Sequence, residues 1–267
     1  MKFQAITNKD ISELTNLQPE DWPDIIPEFD YYLKKDFCNP IKVISDNEIV
    51  GIGVSIIFKR TCWLAHIIVH ESYRNKGIGS QITEKLLNEK RCNSVDSFLL
   101  IATELGIPVY KKAGFRIVAE YKYLMRDKPW GDLQVSPAIM PYDNRFHSMI
   151  MELDNKISGE DRSPLLIDYL QNTFVYMENN SIDGFYMPEL GEGLILSETT
   201  KAGLELMKKK YSSVDKAVLP SDNQLGIDFL LQNGFTVINT TGIRMIKGND
   251  INWNPKRVFS RIGGNYG

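Results

Sequence analysis

Hydrophobic positions change period several times along the chain, and each change marks an element. Met1 to Thr7 alternates as a strand does. Trp63 to Val69 is a nearly unbroken apolar run of strand length, after which Ile78, Ile82 and Leu86 recur at helical spacing and give one apolar stripe. Ser97 to Ile101 is strand-like again and leads into a short helix ending at Gly114, where a left-handed turn would send Phe115 into the core. Later, Met149 to Ile157 predicts a helix, and Gly159-Glu160-Asp161-Arg162 followed by Leu165, Leu166 and Leu170 begins another. Ile182 to Met187 and Gly193 to Leu196 predict paired strands around the turn Glu189 to Glu192. Thr199 to Tyr211 predicts a helix and Val214 to Leu219 a strand.

Part of this pattern occurs twice. Leu105-Gly106-Ile107 through Ala113-Gly114-Phe115 returns as Leu225-Gly226-Ile227 through Asn233-Gly234-Phe235, and Met125 and Met245 follow at the same offset. Both copies run helix, strand, short helix, Gly-Phe and then an expected final β pair, the signature of a duplicated unit. Pro and Gly interrupt the pattern at Asp127-Lys128-Pro129-Trp130-Gly131-Asp132, so the expected units are residues 1–130 and 131–267.

The stretch Val69 to Ser80 joins a strand to a helix through Arg74-Asn75-Lys76-Gly77-Ile78-Gly79. Free N–H groups at a helix start carry the positive end of the dipole, and glycines let an anion approach that backbone. Arg74 and Lys76 add charge there. A Walker loop would end in Gly-Lys-Ser/Thr, and a dinucleotide fingerprint would need a glycine where Ile82 stands, so both fail on residues. Taken alone, the stretch is also compatible with an ordinary strand-to-helix turn.

Arg-x-x-Gly-x-Gly after a strand resembles the acetyl-CoA pyrophosphate loop of the GCN5-related N-acetyltransferases (GNAT), whose commonest form is Val-His-Pro-Glu-Tyr-Arg-Gly-Lys-Gly-Ile-Gly. Glu71, Ser72 and Asn75 depart from it, all outside the Arg/Gly/Gly pattern. Ala102-Thr103-Glu104-Leu105-Gly106-Ile107-Pro108-Val109-Tyr110 through Gly114-Phe115 is similar to the family's second signature, a short helix in Tyr-x-x-x-Gly-Phe. Thr103 stands where the family usually has Asn, a form associated with one subgroup of tandem acetyltransferases. Leu153-Asp154 with Gly159-Glu160-Asp161-Arg162 resembles a segment of the carboxy-terminal domain of such proteins.

The resemblance implies an α/β (α+β) chain of two tandem GNAT-like domains, each a mixed, mostly antiparallel twisted sheet flanked by helices. It implies acetyl-CoA as co-substrate, without a metal. Backbone groups of Ile67, Ile68 and Val69 would hold the pantetheine arm, Arg74, Asn75, Lys76, Gly77, Ile78, Gly79 and Ser80 the pyrophosphate, and Thr103 would also contact the cofactor. Tyr110 would be the acid that protonates the leaving thiolate. The base is open among Glu104, His66, His70 and Glu71. In the second copy the loop position reads Leu196-Ser197-Glu198-Thr199-Thr200-Lys201-Ala202-Gly203, and Leu230 replaces the tyrosine. The expectation is therefore one active and one degenerate domain, with an open groove in the first half and a filled or closed one in the second. The apolar end Arg257 to Ile262 would suit covering the first domain's open face, closing the acceptor pocket or making a dimer contact.

Composition narrows the rest. The 267 residues carry a formal net charge of −3, which argues against nucleic acid as a partner. Lys208-Lys209-Lys210 reads as helix C-terminal charge, and Asp161-Arg162 as a helix-start pair. Three cysteines and three histidines show no metal-ligand spacing, which predicts a reducing cytoplasm, and neither a signal peptide nor a membrane span is expected. Expected partners are acetyl-CoA and an unidentified amine acceptor, with a homodimer left open. The leading expectation is transfer of acetyl to a small-molecule primary amine. Peptide or protein N-acetylation and a non-catalytic acyl-CoA sensor are the alternatives.

Overall fold

The computed structural model describes residues 1–20, 22–129, 131, 134–240 and 242–267; Trp130 and Asp132, at the expected unit boundary, lie outside them. Strands of the first half are β1 (Lys2–Ala5), β2 (Cys38–Ser45), β3 (Glu48–Ile57), β4 (Thr61–Val69), β5 (Ser97–Ala102) and β6 (Arg116–Met125), with helices α1 (Ile26–Tyr32), α2 (Ile78–Leu87) and α3 (Ile107–Lys112). The second half adds β7 (Ile139–Pro141), α4 (His147–Ser158), α5 (Ser163–Leu166), β8 (Phe174–Glu178), β9 (Ser181–Met187), β10 (Leu194–Ser197), α6 (Thr200–Tyr211), β11 (Lys216–Pro220), α7 (Gln224–Gln232), β12 (Thr236–Val237), β13 (Ile243–Gly248) and β14 (Val258–Ser260). Among the described residues no helix is long and apolar enough to cross a membrane.

The architecture is mixed α/β, with two mostly antiparallel sheets flanked by helices. One runs β1-β2-β3-β4-β5-β13-β6-β11, with β12 also on β6; the other runs β14-β10-β9-β8-β7. The expected β pair after each Gly-Phe does not form within its own copy. β6 and β13, equivalent in the repeat, lie antiparallel to each other with Ile243 opposite Glu120 and Met245 opposite Ile117. β13 also pairs with β5, and β6 with β11, so each half completes the other's sheet. Identical register positions in two copies can satisfy each other's edges as well as their own, and an interlocked sheet leaves neither half with an open edge there.

Alternate residues of β4 feed two cores. Trp63, Ala65 and Ile68 pack on the side of α1 with Phe29 and Tyr32, while Cys62 and Leu64 pack with Ile78, Ile82 and Leu86 of α2. The α2 stripe is thus buried as its spacing predicted. Two charges read as helix-end residues have buried side chains. Arg162 stands at the start of α5, its carbonyl accepting from Leu165 N (2.9 Å) and Leu166 N (3.1 Å), but its side chain is 5% exposed and forms a bidentate core pair with Asp154. Lys210 is 1% exposed; its ammonium donates to the Gly193 carbonyl (3.1 Å) and Ser260 Oγ (2.6 Å), and burial pulls its pKa down to about 7.

Candidate active site

β4 and β5 are parallel neighbours at Thr61–Ser97, Cys62–Phe98 and Trp63–Leu99, and beyond that point they part. The rest of β4, including Ile67, Ile68 and Val69, keeps its pairing to β3 but has no ladder on the β5 side. That leaves backbone N–H and C=O groups facing a wedge between the strands. A β-bulge sits on β4 where the wedge opens, because Val54 pairs with Ala65 but Ile52 pairs with Ile68. His66 occupies it in the left-handed region, at φ 48.

The loop after β4 opens α2 as its sequence predicts. Gly77 is the residue before the helix, at φ 79, a conformation that costs any side-chain residue about 1–2 kcal/mol. The space where its Cβ would stand is open, the nearest atom being Gln81 Nε2 at 4.0 Å. Asn75 is also left-handed, at φ 62. Arg74 donates to the Val69 carbonyl (3.3 Å) and pairs with Glu71 (3.5 Å), and Lys76 donates to the Ser72 carbonyl (3.1 Å). Both cations lie on the loop that leads into Ile78, Gly79 and Ser80 at the start of α2. The arrangement can take a diphosphate on the helix start, with Glu71 as the group to be displaced.

Thr103 follows β5, its carbonyl accepting from Gly106 N (2.9 Å) and Ile107 N (3.2 Å) to start α3. Tyr110 lies on α3, edge-on to Phe115 with ring centroids 6.1 Å apart. A Cβ on Gly106 would come 2.7 Å from the Tyr110 ring, so glycine there makes room for it. Burial pushes the Tyr110 hydroxyl up to about 12, which keeps it protonated, the form an acid requires. Burial also makes that hydroxyl a weaker acid than a phenol in water.

Of the four base candidates, three have other occupations or none that bears on the wedge. His70 Nδ1 accepts from Ser72 N (3.3 Å) and caps the short 3₁₀ turn after β4; Glu71 faces Arg74; Glu104 lies in the loop before α3. His66 differs. Its Nδ1 is 3.1 Å from the Tyr32 hydroxyl, and Phe29 and Trp22 stand edge-on to its ring. Around it gather Glu28 and Asn265, whose side-chain amide donates to both Glu28 Oε2 (3.0 Å) and the Tyr32 oxygen (2.9 Å). Sequence reasoning missed Glu28, Tyr32 and Asn265, because the two ends of the Glu28–Asn265 bond are 237 positions apart.

The second half has the same strands without the wedge. β14 lies between β10 and β11: it pairs with β10, and Arg261 N just beyond it donates to Val218 O of β11 (3.2 Å). Asn223, at the repeat position of Thr103, donates its side-chain amide to the Val258 carbonyl of β14 (2.9 Å). Phe259 lies so close to α6 that a Cβ on Gly203 would meet its ring at 2.4 Å. Thr199 caps α6 itself, its hydroxyl accepting from Ala202 N (3.2 Å), and Leu230 is fully buried at the tyrosine position. The strand part of the chain's end, β14, therefore fills its own half, while Asn265 and Tyr266 beyond it pack on Tyr32 of the first. Glu198, in the segment at the loop position, is paired with Lys156.

Residues 39–117, which span β2 to the start of β6 and hold the wedge, the loop and Tyr110, match the family model of the acetyltransferase (GNAT) domain. The first half thus carries a GNAT acetyltransferase domain. The chain's fold over the full length is that of a tandem GNAT protein. A putative acetyltransferase from Pyrococcus horikoshii superposes over 100% of this chain and 95% of its own with a TM-score of 0.84 at 19% identity. A tandem GNAT protein from the clavulanic acid biosynthesis pathway covers 92% of this chain and 98% of its own (TM-score 0.62, 11% identity). A GCN5-related N-acetyltransferase from Anabaena variabilis covers 92% of this chain and 72% of its own (TM-score 0.57, 12% identity). No curated protein matches the chain. The GNAT fold supports acetyl transfer as the general activity.

Proposed function

We propose that this chain is an acetyl-CoA-dependent N-acetyltransferase that acetylates a primary amine of a small molecule in its first half. The observation that carries the reading is the parting of β4 from β5 beyond Trp63–Leu99, with a glycine-opened helix at its mouth and Tyr110 on α3 beside it. In this reading Ile67, Ile68 and Val69 offer their backbone to the pantetheine arm, and residues 74–80 take the pyrophosphate. Thr103 lies along the arm, and an N–H of the bulged strand faces the thioester oxygen, where it would stabilise the charge that develops on attack. Tyr110 protonates the departing thiolate.

A small acceptor is favoured by what stands on the α1 side of the wedge. Trp22, Phe29, Tyr32 and Tyr266 crowd the ring of His66 or one another, with side chains from both ends of the chain closing that side rather than leaving a trough for an extended peptide. The test is thiol release from acetyl-CoA with a panel of phenethylamine, spermidine, glucosamine and a lysine-containing peptide. Turnover with a small amine supports the reading. Turnover with the peptide alone would replace it by peptide acetylation, and acetyl-CoA binding without any turnover would make the chain a sensor.

A further inference from the structure

Two of the three cysteines, 30 positions apart in the chain, meet in the fold. Cys62 stands on β4 where that strand still pairs with β5, opposite Phe98. Cys92 closes the 3₁₀ turn Lys90–Cys92 that follows α2, with its N–H bonded to the Glu89 carbonyl (2.9 Å) and its own carbonyl accepting from Val95 N (3.0 Å). Both side chains belong to the core beneath α2, and their Sγ atoms lie 3.9 Å apart. Cys38 packs in the other core, on the α1 side of the sheet. The fold therefore sets up one thiol pair and keeps the third thiol out of it. No further ligand joins them: among the described residues no group of three or more His, Cys, Asp and Glu side chains is placed to hold a metal ion. What two adjacent thiols can do by themselves is give up two electrons and bond to each other.

The two sulfurs are not equivalent. Cys62 is fully buried at 0% exposure, whereas Cys92 is 6% exposed in a turn whose neighbours Arg91 and Asn93 face solvent. A small oxidant reaches Cys92 first. Once Cys92 ionises, the Cys62 thiol is the donor across their contact; that bond and the Arg91 charge hold Cys92 below the ordinary thiol value, while burial pushes Cys62 well above it. Burial likewise pushes Cys38 up to about 12. The outer sulfur is the nucleophile and the inner one the resolving thiol.

We infer that Cys62 and Cys92 form a peroxide-reactive pair that closes reversibly to a disulfide. The Cys92 thiolate attacks one oxygen of hydrogen peroxide, the O–O bond breaks, and hydroxide leaves and takes a proton to become water. Cys92 is then a sulfenic acid. The Cys62 sulfur, losing its proton to solvent, attacks the Cys92 sulfur; the S–O bond breaks and a second hydroxide leaves and is protonated. Two thiols have lost two electrons, and one peroxide has become two waters. A dithiol reductant reverses the change. Closure requires the sulfurs to approach by about 2 Å, one of them on a turn next to solvent. The bond joins the segment after α2 to β4 just before β4 parts from β5, at the end of α2 away from Gly77. It is a clamp on one wall of the wedge, and it stands independently of the acetyl-transfer reading.

Mass spectrometry on the full chain tests the pair. The reduced chain, treated with a few equivalents of hydrogen peroxide, then unfolded and alkylated with iodoacetamide, should take up one alkyl group where the untreated chain takes three. The label should sit on Cys38, and a peptide map should join Cys62 to Cys92. Dithiothreitol should restore all three sites, and Cys38→Ser should still form the bond. The pairing is read on the wild-type chain, so it does not depend on a buried substitution folding. Oxidised wild type should also melt at a higher Tm than reduced, because the cross-link restricts the unfolded chain, and Cys62→Ala should gain nothing from peroxide. Three alkylated sites after peroxide, a bond to Cys38, or Cys92 driven to a sulfinate with Cys62 still free would overturn the pair. A Cys62–Cys92 bond that lowers the Tm would overturn the clamp.

Discussion

The two clefts of this molecule are built from the same strands, and one is open while the other is full. In the first half, β4 and β5 part after three paired residues, and the glycine at the start of α2 has open space before it. In the second, the equivalent strands are bridged by β14, and the helix start is capped by its own Thr199. The filler imitates what it replaces. An extended segment lies along β10, and Asn223, at the repeat position of Thr103, gives it a side-chain hydrogen bond. Lys210, buried and anchored to Ser260 Oγ, holds the same segment from the other side. The second half thus holds a piece of its own chain where the first has a wedge, and the chain beyond that piece places Asn265 against Glu28 and Tyr32.

The largest test of this comparison concerns whether the open half can exist alone. β5 and β6 are separated by β13 from the second half, so residues 1–130 expressed by themselves should lose the sheet's continuity and fail to give a cooperatively folding monomer. Circular dichroism with thermal melting and gel filtration checks this; a soluble, cooperatively melting monomer would show the exchange of strands to be dispensable.

Next in size is the loop. Gly77→Glu sets a carboxylate against the expected diphosphate and should abolish acetyl-CoA binding by calorimetry. Gly77→Ala carries the same backbone strain without the charge, so it should retain weakened binding. Equal losses in both would assign the effect to backbone geometry rather than to phosphate. Tyr110→Phe removes only a hydroxyl and should lower kcat on the order of 10²-fold at unchanged acetyl-CoA affinity. An unchanged kcat would return Tyr110 to a packing role beside Phe115.

The smallest expected effect falls in the filled cleft. Gly203→Ala puts a methyl into the Phe259 ring and should cost about 1–3 kcal/mol of stability by overpacking, read as a lowered Tm, while turnover stays as it was. Loss of acetyl-CoA binding in that variant would mean that the second half takes part in holding the cofactor.

What was legible in the sequence was local. The strand before Val69, the stripe of Ile78, Ile82 and Leu86, and the glycines between them lie within a few turns of one another, and periodicity and φ preference suffice to read them. The exchange of β6 and β13 was not legible, because two copies of one strand carry the same pattern and either can complete either sheet. Arg257 to Ile262 read as a strand, but nothing in six residues says which gap it enters. Arg162 and Lys210 read only as helix-end charge because Asp154, Ser260 and the Gly193 carbonyl reach them only after folding. The bulge at His66 hides for the same reason: a histidine in an apolar run gives no sign of a left-handed backbone.

With one live cleft and one filled by β14, the chain has room for one acetyl-CoA. Titration of the full chain with acetyl-CoA in a calorimeter should saturate at one equivalent, and Gly77→Glu should take that one away. Saturation at two equivalents per chain, or one equivalent surviving in Gly77→Glu, would contradict the account.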